Sequence, residues 1–296
     1  MPSFRHAKKQ AEHAVQQKLA LNRARHTHHD DQKIHSLGTA RNYTQALTRL
    51  THWLQQHQLN DLKNLDRATA ITYLEWRGQS VGQKMLDQER QAIQLHLGVK
   101  LPVMVSELHQ ALKSRAYTPE QIALIAQAQT AKYQLSTQLA YTAGLRAHEL
   151  FTLQKKEERS ASTHRQWSSE RFIGRDGQRY TVIGKGGLIR EVLIPNALAH
   201  ALEQKRLSTP IRKSDRAIHY QQYYDIGGGK GWSNSFSAAS QRQLGWSHGA
   251  HGVRHTYAQE RMAECQQHGL TYQTALSLVS QSLGHFRPDI TEVYLR

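Results

Sequence analysis

The chain has 296 residues, a single cysteine and a formal net charge of +16, with a pI near 10. This length predicts two domains, each able to bury its own core. One cysteine excludes an internal disulfide and a thiolate zinc site. The basic balance points to an acidic polymer as partner, with DNA ahead of RNA and of an anionic membrane surface. No apolar run approaches the length of a membrane span, and the polar N-terminal stretch does not resemble a secretory signal.

Residues 1–31 are predicted to form a basic N-terminal arm. The stretch is rich in His and Gln and poor in large apolar residues, which favours a flexible or conditionally ordered segment. A short helix between Ala11 and Leu21 is the alternative. The arm also carries a run of metal-ligating residue types, namely His26, His28, His29, Asp30 and Asp31. Their spacing matches no zinc motif, so we expect a solvated polar run and no metal site.

Residues 32–105 are predicted to form a helical domain. Ser36 or Thr39 can cap a first helix whose apolar residues recur at helical spacing. That apolar face consists of Tyr43, Leu47, Leu50, Trp53 and Leu54. The second helix carries Ala70, Ile71, Leu74 and Trp76, and the third carries Met85, Ala92, Ile93 and Leu95 and ends near Gly98. Residues 106–117 are interpreted as a linker.

Residues 118–296 are predicted to form an α+β domain. Thr118, Pro119 and Gln121 have the form of a capped helix start, and a further helix is expected from Gln134 to Tyr141. Three β-rich stretches separated by turn signals predict a three-stranded antiparallel sheet; they are Phe172–Ile173, Tyr180–Ile183 and Glu191–Ile194. The remainder is expected to be helical, interrupted by a flexible loop at Gly227–Gly231. The fold class is therefore mainly α with a small antiparallel β-sheet.

Five short stretches of this domain carry residue types suited to phosphodiester chemistry. They are Thr142–Leu150 with Arg146 and Glu149, Gly184–Arg190 with Lys185, His251–Thr256 with Arg254 and His255, Leu283–His285, and Tyr294. Each stretch alone is a weak signal, because Arg-x-x-Glu pairs and Gly-Lys-Gly turns are common on protein surfaces. Their joint occurrence in this order, with Tyr294 nine residues after His285, is much rarer.

The residue types themselves indicate how such a site would work. Arg146 and Arg254 are the candidates for binding a phosphate, because a guanidinium is always charged and offers a planar fork of donors. Glu149 follows Arg146 by three residues, a spacing at which it can orient that side chain. A tyrosine hydroxyl, with an ordinary pKa of about 10, needs a base or nearby positive charge to act as a nucleophile. We expect no cofactor, since Gly227–Gly231 lacks the Ser or Thr that completes a P-loop.

The order and spacing of the five stretches resemble the tyrosine recombinase family, which includes lambda-type integrases, Cre and the Xer recombinases. The family pattern is Arg, Lys on a β-hairpin, His-x-x-Arg, His or Trp, and Tyr. The resemblance implies a SAM-like helical core-binding domain over residues 32–105 and a catalytic integrase domain over residues 118–296. It further implies a site-specific DNA recombinase, as found on mobile elements, that cleaves and rejoins DNA through a 3′-phosphotyrosyl intermediate and a Holliday junction.

The resemblance also implies a role for each residue of the candidate set. Tyr294 would be the nucleophile and Lys185 the general acid for the leaving oxygen. His251 would help to take the tyrosine proton and His285 would hydrogen-bond the phosphate, with His255 in a supporting position. No metal ion is implied.

Double-stranded DNA is the implied partner, held by a homotetramer on two DNA sites, with accessory DNA-bending proteins as further partners. A cytoplasmic, nucleoid-associated location with no membrane contact follows from the same resemblance. Lys and Arg contacts to phosphate would supply most of the affinity. The candidate contacts are Lys84 and Arg90 in the first domain and Arg212, Lys213, Lys230 and Arg242 in the second.

Two other functions stay open at this stage. A type IB topoisomerase shares the same chemistry, although the helical first domain and the short chain favour recombination. A non-catalytic DNA-binding protein of the same fold is the other alternative, against which the complete set of catalytic residue types argues.

Overall fold

The computed structural model describes residues 6–21, 32–108 and 114–296. The chain forms two compact units, Met1–Ala111 and Leu112–Arg296. Helices predominate and the strands form small antiparallel sheets, which confirms the predicted fold class. Across the described ranges, no helix combines the length and apolar character needed to cross a bilayer. The predicted His and Asp run at 26–31 lies outside the described residues.

The first unit is helical in its described part. Its helices are α1 (Ala7–Gln16), α2 (Leu37–Gln56), α3 (Arg67–Gly78) and α4 (Gln83–Leu97). The Ser36 hydroxyl accepts a hydrogen bond from the Thr39 amide and so caps α2, as predicted. Helix α4 ends at Gly98 in the left-handed conformation, also as predicted. The core contains most of the predicted apolar faces of the second, third and fourth helices, with Leu50 and Leu74 fully buried. The prediction is wrong for Trp76 and Met85, which are each 44% exposed.

Helix α1 belongs to this core, so residues 7–16 are helical and packed where a flexible or conditionally ordered arm was predicted. Ala7, Ala11 and Val15 recur every four residues and are all buried, Ala11 and Val15 within the core of the unit. The side chain of Gln10 also accepts a hydrogen bond of 3.0 Å from the Leu62 amide. A stripe of small residues allows helices to approach closely without large apolar side chains. The scarcity of large apolar residues in this segment therefore did not reveal that it packs into the core.

The second unit surrounds a larger core with helices and two sheets. Its helices are α5 (Pro119–Gln127), α6 (Ala131–Ala143), α7 (Asn196–Glu203), α8 (Gly229–Leu244), α9 (Gly252–Gln267), α10 (Tyr272–Leu283) and α11 (Pro288–Glu292). Thr118 and Gln121 form the predicted capping box at the start of α5. Tyr180, Trp232 and Phe236 lie in the main core, and a second apolar cluster joins α9 to α10.

The three-stranded sheet has the order β1 (Gln154–Lys155), β2 (Gln178–Ile183), β3 (Ile189–Ile194), with every pair antiparallel. The last two strands agree with the prediction, but the first was placed wrongly. Phe172 ends a one-turn 3-10 helix instead of forming a strand. Its ring lies under the guanidinium groups of Arg171 and Arg179, which accounts for an apolar residue there without a sheet.

A second sheet was missed, because residues 196–296 were predicted to be mainly helical. Strands β4 (Arg206–Asp215) and β5 (Ile218–Tyr224) form an antiparallel hairpin. The two residues that connect the strands, Arg216 and Ala217, have φ values of 51° and 63°. Such turns usually carry Gly, Asn or Asp, and their absence here removed the sequence signal for a hairpin.

The glycine-rich stretch is packed, so the prediction of a flexible loop at Gly227–Gly231 is wrong. Helix α8 begins within the stretch, at Gly229. A Cβ at Gly227 would lie 2.2 Å from a ring atom of Tyr133, and one at Gly228 would lie 2.8 Å from the ring of Phe151. Glycine is required here because aromatic rings contact the backbone directly.

Replacing Gly144, which ends α6 with φ 57°, should destabilise the protein strongly. A Cβ there would lie 2.5 Å from the ring of Tyr257 as well as occupying a left-handed conformation. We expect Gly144→Ala to lower the free energy of unfolding by about 3 kcal/mol in denaturant titrations. The control is Gly245→Ala at the end of α8, where φ is 75° but no atom lies within 4 Å of the added Cβ. The control variant should lose only about 1 kcal/mol of its free energy of unfolding. Equal losses in the two variants would contradict the steric argument.

Candidate active site

A fully buried carboxylate lies at the centre of the site. Glu149 begins a one-turn 3-10 helix just after α6. Its Oε1 accepts a hydrogen bond of 2.7 Å from Arg146 Nη1, and its Oε2 accepts one of 2.8 Å from Arg190 Nη2. The backbone amide of Arg146 donates to Oε2 at 2.8 Å, and Arg254 Nη1 lies 3.9 Å from the same oxygen. The predicted pairing of Glu149 with Arg146 is present, within a larger cluster.

Three guanidinium groups keep this carboxylate ionised. Burial on its own would raise the pKa of Glu149, but the charges of Arg190, Arg146 and Arg254 outweigh that effect and hold the pKa well below its usual range. In return, the carboxylate offsets part of the repulsion between the three cations. The carboxylate is therefore what allows three positive charges to lie so close together.

Two of the arginines also bind the carboxyl ends of helices. Arg254 donates to the carbonyls of Gly144 and Leu283, which lie at the ends of α6 and α10. Arg190 donates to the Gly144 carbonyl at 3.2 Å and to the Ser282 carbonyl at 2.6 Å. These carbonyls have no partner within their own helix and lie at the negative end of the helix dipole, which favours a cation. The arginines thus fix where the two helices end relative to each other.

The aromatic ring of Tyr294 lies among three imidazoles. Its centroid is 5.4 Å from that of His251, 4.6 Å from that of His255 and 5.2 Å from that of His285. The Arg254 guanidinium carbon lies 5.7 Å from the same ring centroid. Only 8% of Tyr294 is exposed. Helix α11 ends at Glu292, and Tyr294 lies in the turn that follows.

Charge and burial keep these imidazoles neutral. Desolvation and the nearby charge of Arg254 lower the pKa of His251 to about 3 and that of His285 to about 3. Desolvation and the charge of Arg115 lower the pKa of His255 to about 4. All three rings are therefore neutral at pH 7, and each has one nitrogen able to accept a proton.

Several buried nitrogens in the pocket have no hydrogen-bond partner among the residues that the structure describes. They include Nε of Arg254, which is a donor, and Nδ1 of His255 and of His285, each of which donates in one tautomer and accepts in the other. Arg254 Nη2 lies 3.4 Å from Nε2 of His285, which places these two side chains side by side. An imidazole that donates from its free nitrogen, next to the guanidinium of Arg254, is well suited to bind the oxygens of an anion such as a phosphate.

Lys185 occupies the tip of the β2–β3 hairpin, as predicted, but no hydrogen bond or ion pair joins its side chain to the other candidate residues. Its side chain is exposed and makes no hydrogen bond or ion pair to the residues the structure describes. Gly186 and Gly187 follow it with φ values of 75° and 81°, and a Cβ added to either would have nothing within 4 Å. The base of the hairpin lies close to the cluster instead, since a Cβ on Gly184 would lie 3.3 Å from a carboxylate oxygen of Glu149.

The structure brings together seven of the predicted site residues and leaves others apart. The clustered residues are Arg146, Glu149, His251, Arg254, His255, His285 and Tyr294. Arg190 was not predicted as a site residue. It lies on β3 next to a second charged residue, Glu191, so its charge gave no distinctive signal, yet it is only 1% exposed.

The predicted DNA contacts lie on several elements. Lys84 is exposed on α4, and Arg212 is exposed on β4 beside the half-buried Lys213. Arg90 is less available, because it donates to Gln94 and pairs with Asp87. The remaining two lie on α8, where Lys230 is exposed and Arg242 donates to a backbone carbonyl.

Comparison with known proteins shows a likeness in structure without a likeness in sequence. No protein-family model matches this chain, and no curated protein matches its sequence. Among solved structures, the chain is similar to the XerH site-specific recombinase in a post-cleavage complex with a palindromic difH substrate. The TM-score is 0.58 at 13% identity, over 98% of this chain and 90% of that one.

Two integrases are similar as well. The Tn1549 transposon integrase, in complex with transposon right end DNA, has a TM-score of 0.53 at 11% identity over 98% of this chain and 95% of that one. A lambda integrase in a dimer bound to a COC′ core site has a TM-score of 0.52 at 14% identity over 88% and 72%. This chain has the tyrosine recombinase fold. The predicted fold is thereby confirmed, and the clustered residues lie in the unit predicted as the integrase domain.

Neutralising Glu149 should destabilise the recombinase fold more than any exposed ion pair does. Glu149→Gln preserves the shape of the side chain but leaves three arginines without their counter-charge. We expect a loss of about 3–5 kcal/mol in the free energy of unfolding, measured in urea. The matched control is Glu158→Gln, which breaks a pair with Arg206 in which both side chains are 32% exposed, and it should cost less than about 1 kcal/mol. Similar losses for the two variants would show that the buried carboxylate has no special role.

The lowered pKa values of His255 and His285 predict a loss of stability in mild acid. Each imidazole has a folded pKa of about 3–4 against an ordinary value of 6.5, so the unfolded chain binds protons that the folded chain does not. The free energy of unfolding should therefore fall as the pH is lowered from 7 through 6.5 towards 4. Denaturant titrations of the wild type and of His285→Gln at pH 7 and pH 5 test this. The variant should lose less stability on acidification, and an equal loss would exclude His285 as a contributor.

Proposed function

We propose that this protein is a site-specific DNA recombinase that cleaves and rejoins DNA through a 3′-phosphotyrosyl intermediate. The observation that carries the proposal is the position of Tyr294, a buried phenol enclosed by three neutral imidazoles and lying beside a pocket of arginines. A nucleophile, proton acceptors and anion-binding donors are thus present at one place. The fold shared with recombinases that were captured on DNA supports the same conclusion.

The first chemical step is an attack by the Tyr294 oxygen on a DNA phosphorus. A new P–O bond to tyrosine forms while the bond to the 5′ oxygen breaks, and the number of phosphoester bonds is unchanged. Arg146 and Arg254 bind the non-bridging oxygens, on which negative charge accumulates in the transition state. Because bond energy is conserved, the released 5′-hydroxyl can reverse the step on a second strand with no nucleotide consumed.

Proton transfer accompanies each half of this exchange. We assign His251 to accept the phenolic proton, since its ring is neutral and lies next to Tyr294. A bound phosphate would offset the arginine charges and raise the pKa of this imidazole towards the working pH, which improves it as a base. Lys185 is assigned to protonate the leaving 5′ oxygen from the hairpin tip, and His285 to hydrogen-bond the phosphate, with His255 supporting the tyrosine.

Duplex DNA is the proposed partner because the charge of +16 matches a polyanion and the related folds were seen with DNA. In this proposal residues 32–105 form the core-binding domain, residues 118–296 form the catalytic domain, and residues 106–117 link them. The exposed cations on α4, β4 and α8 contact the backbone, so affinity falls steeply with salt. Four protomers act on two sites, with accessory DNA-bending proteins, in a nucleoid-associated location.

Covalent capture tests the proposal directly. We expect wild-type protein, incubated with nicked duplexes tiling the DNA that flanks its gene, to form a protein–DNA adduct that survives denaturation. Mass spectrometry of the digested adduct should locate the nucleotide on Tyr294. Tyr294→Phe should abolish the adduct while its DNA affinity stays within about twofold, since only one hydroxyl is removed. Tyr272→Phe, which alters an exposed tyrosine on α10, is the matched control and should behave as wild type.

Three results would contradict the proposal in different ways. An adduct that persists in Tyr294→Phe would move the nucleophile elsewhere. Specific binding without any adduct would identify a non-catalytic DNA-binding protein of this fold. Relaxation of supercoiled DNA by a monomer, with no strand exchange between duplexes, would identify a type IB-like topoisomerase.

A further inference from the structure

The segment between β1 and β2 contacts two parts of the candidate site. Residues 162–171, here named the brace, fall within the long interval that separates Arg146 from Lys185 in the sequence. This stretch contains none of the predicted site residues. In the structure, however, its side chains and backbone bind β3 on one side and the chain around His285 on the other.

The first connection joins the brace to the Lys185 hairpin. The Ser162 amide donates to the Ile189 carbonyl at 2.9 Å, and the Ile189 amide donates to the Ser162 hydroxyl at 3.0 Å. Arg171, which is 6% exposed, forms an ion pair of 3.3 Å with Glu191 on the same strand. These contacts fix both ends of the brace to β3, next to the arginine cluster that contains Arg190.

The second connection joins the brace to the segment that follows α10. The ring of Trp167 meets that of Phe286 edge-on, with centroids 4.7 Å apart at 66°. The Arg165 guanidinium lies over the same phenyl ring at 5.2 Å. The Ser168 amide donates to the Gln281 side chain at 2.8 Å. Phe286 is therefore held on two sides by the brace.

Trp167 is itself held firmly. Its Nε1 donates to the Ser162 carbonyl at 2.9 Å, and the Arg171 guanidinium lies 4.5 Å above its ring. A half-buried tryptophan with its polar atom bonded and a cation on its face has little rotational freedom. It can therefore transmit the position of β3 to Phe286.

Phe286 occupies the turn on which the orientation of the site depends. Its φ is 54°, a left-handed conformation that a bulky L side chain rarely adopts without support from its surroundings. It directly follows His285 and begins the short path through α11 to Tyr294. At this strained backbone position, the Phe286 ring contacts Trp167 and Arg165 of the brace.

We propose that the brace positions His285 and Tyr294 relative to the Lys185 hairpin by gripping Phe286 in its left-handed conformation. Trp167 and Phe286 are positioning residues in this view, because they touch no reacting atom. The catalytic consequence rests on the function proposed above, whereas the structural consequence stands on the contacts alone. Loss of the contacts between the brace and the Phe286 ring should increase the mobility of residues 284–296 and leave the rest of the unit unchanged.

Hydrogen–deuterium exchange on the full chain tests the structural consequence. Trp167→Leu should increase exchange in peptides covering residues 284–296, where the Tyr294 and Leu295 amides are bonded within the turn. Trp167→Phe retains an aromatic edge and should restore most of the protection. Trp246→Leu, which alters a half-buried tryptophan packed elsewhere in the unit, is the matched control and should leave this region unchanged. Unchanged exchange in Trp167→Leu would overturn the proposal.

A pair of substitutions at Phe286 separates the ring from the backbone. Both Phe286→Gly and Phe286→Ala remove the grip, but only glycine adopts φ 54° without strain. Exchange in residues 284–296 should therefore increase in both variants and increase more in Phe286→Ala. Equal exchange in the two variants, or wild-type exchange in either, would contradict the assigned role of this turn.

Single-turnover adduct formation tests the catalytic consequence. We expect Trp167→Leu to slow cleavage by about tenfold or more at saturating DNA, with DNA affinity within about twofold, because misplacement of reacting groups lowers the rate without weakening binding. Trp167→Phe should recover most of the rate. Increased hydrogen–deuterium exchange in Trp167→Leu with an unchanged cleavage rate would overturn the positioning role. Failure of the wild-type protein to form an adduct would instead refute the proposed function. The exchange result would still decide whether the brace restrains residues 284–296.

Discussion

The structure of the site depends on one buried carboxylate. Glu149 binds the guanidinium groups of Arg146 and Arg190 directly and lies within 3.9 Å of that of Arg254. Without it, three desolvated cations would repel one another. With the carboxylate present, the three arginines hold together the ends of α6 and α10, the β2–β3 hairpin and the start of α9. The carboxylate is therefore the common attachment point of elements that come from distant parts of the sequence.

The same cluster has a charge suited to the proposed chemistry. Three guanidinium groups against one carboxylate leave two positive charges, and the surrounding imidazoles add none at neutral pH. A phosphodiester carries one negative charge, and the pentacoordinate state formed during attack carries more. Fixed charges that exceed those of the ground state favour the transition state, which is the condition for catalysis.

Some parts of this arrangement were predictable from sequence and others were not. The helix caps at Ser36 and Thr118 and the tip position of Lys185 follow from local rules, and the structure agrees. The site residues that cluster were found because their types and order are distinctive. Arg190 was missed, because nothing in its neighbourhood reveals that a charged strand residue points into a buried cluster. Its partners lie up to 92 residues away in sequence.

The errors in the fold have similar causes. The β4–β5 hairpin was missed because Arg216 and Ala217 adopt left-handed turn conformations that glycine or asparagine normally marks. Helix α1 was taken for a flexible arm because its packing stripe consists mainly of alanine. The glycines at 227–229 were taken for a flexible loop, although the rings of Tyr133 and Phe151 contact that backbone. For α1 and for the glycine stretch, tertiary contacts decided the structure, and residue composition did not reveal them.

The hairpin tip has a consequence for how an ammonium group could reach a leaving oxygen. Lys185 directly follows Gly184, which lies close to Glu149, and is followed by two glycines at which an added Cβ would have nothing within 4 Å. A group on so short a tether samples a small volume, and its effective concentration there is in the millimolar range or above. In the proposed mechanism, proton delivery by Lys185 would then require only local rotation about the hairpin tip, so this donor would leave and return within one catalytic cycle without any rearrangement of the arginine cluster.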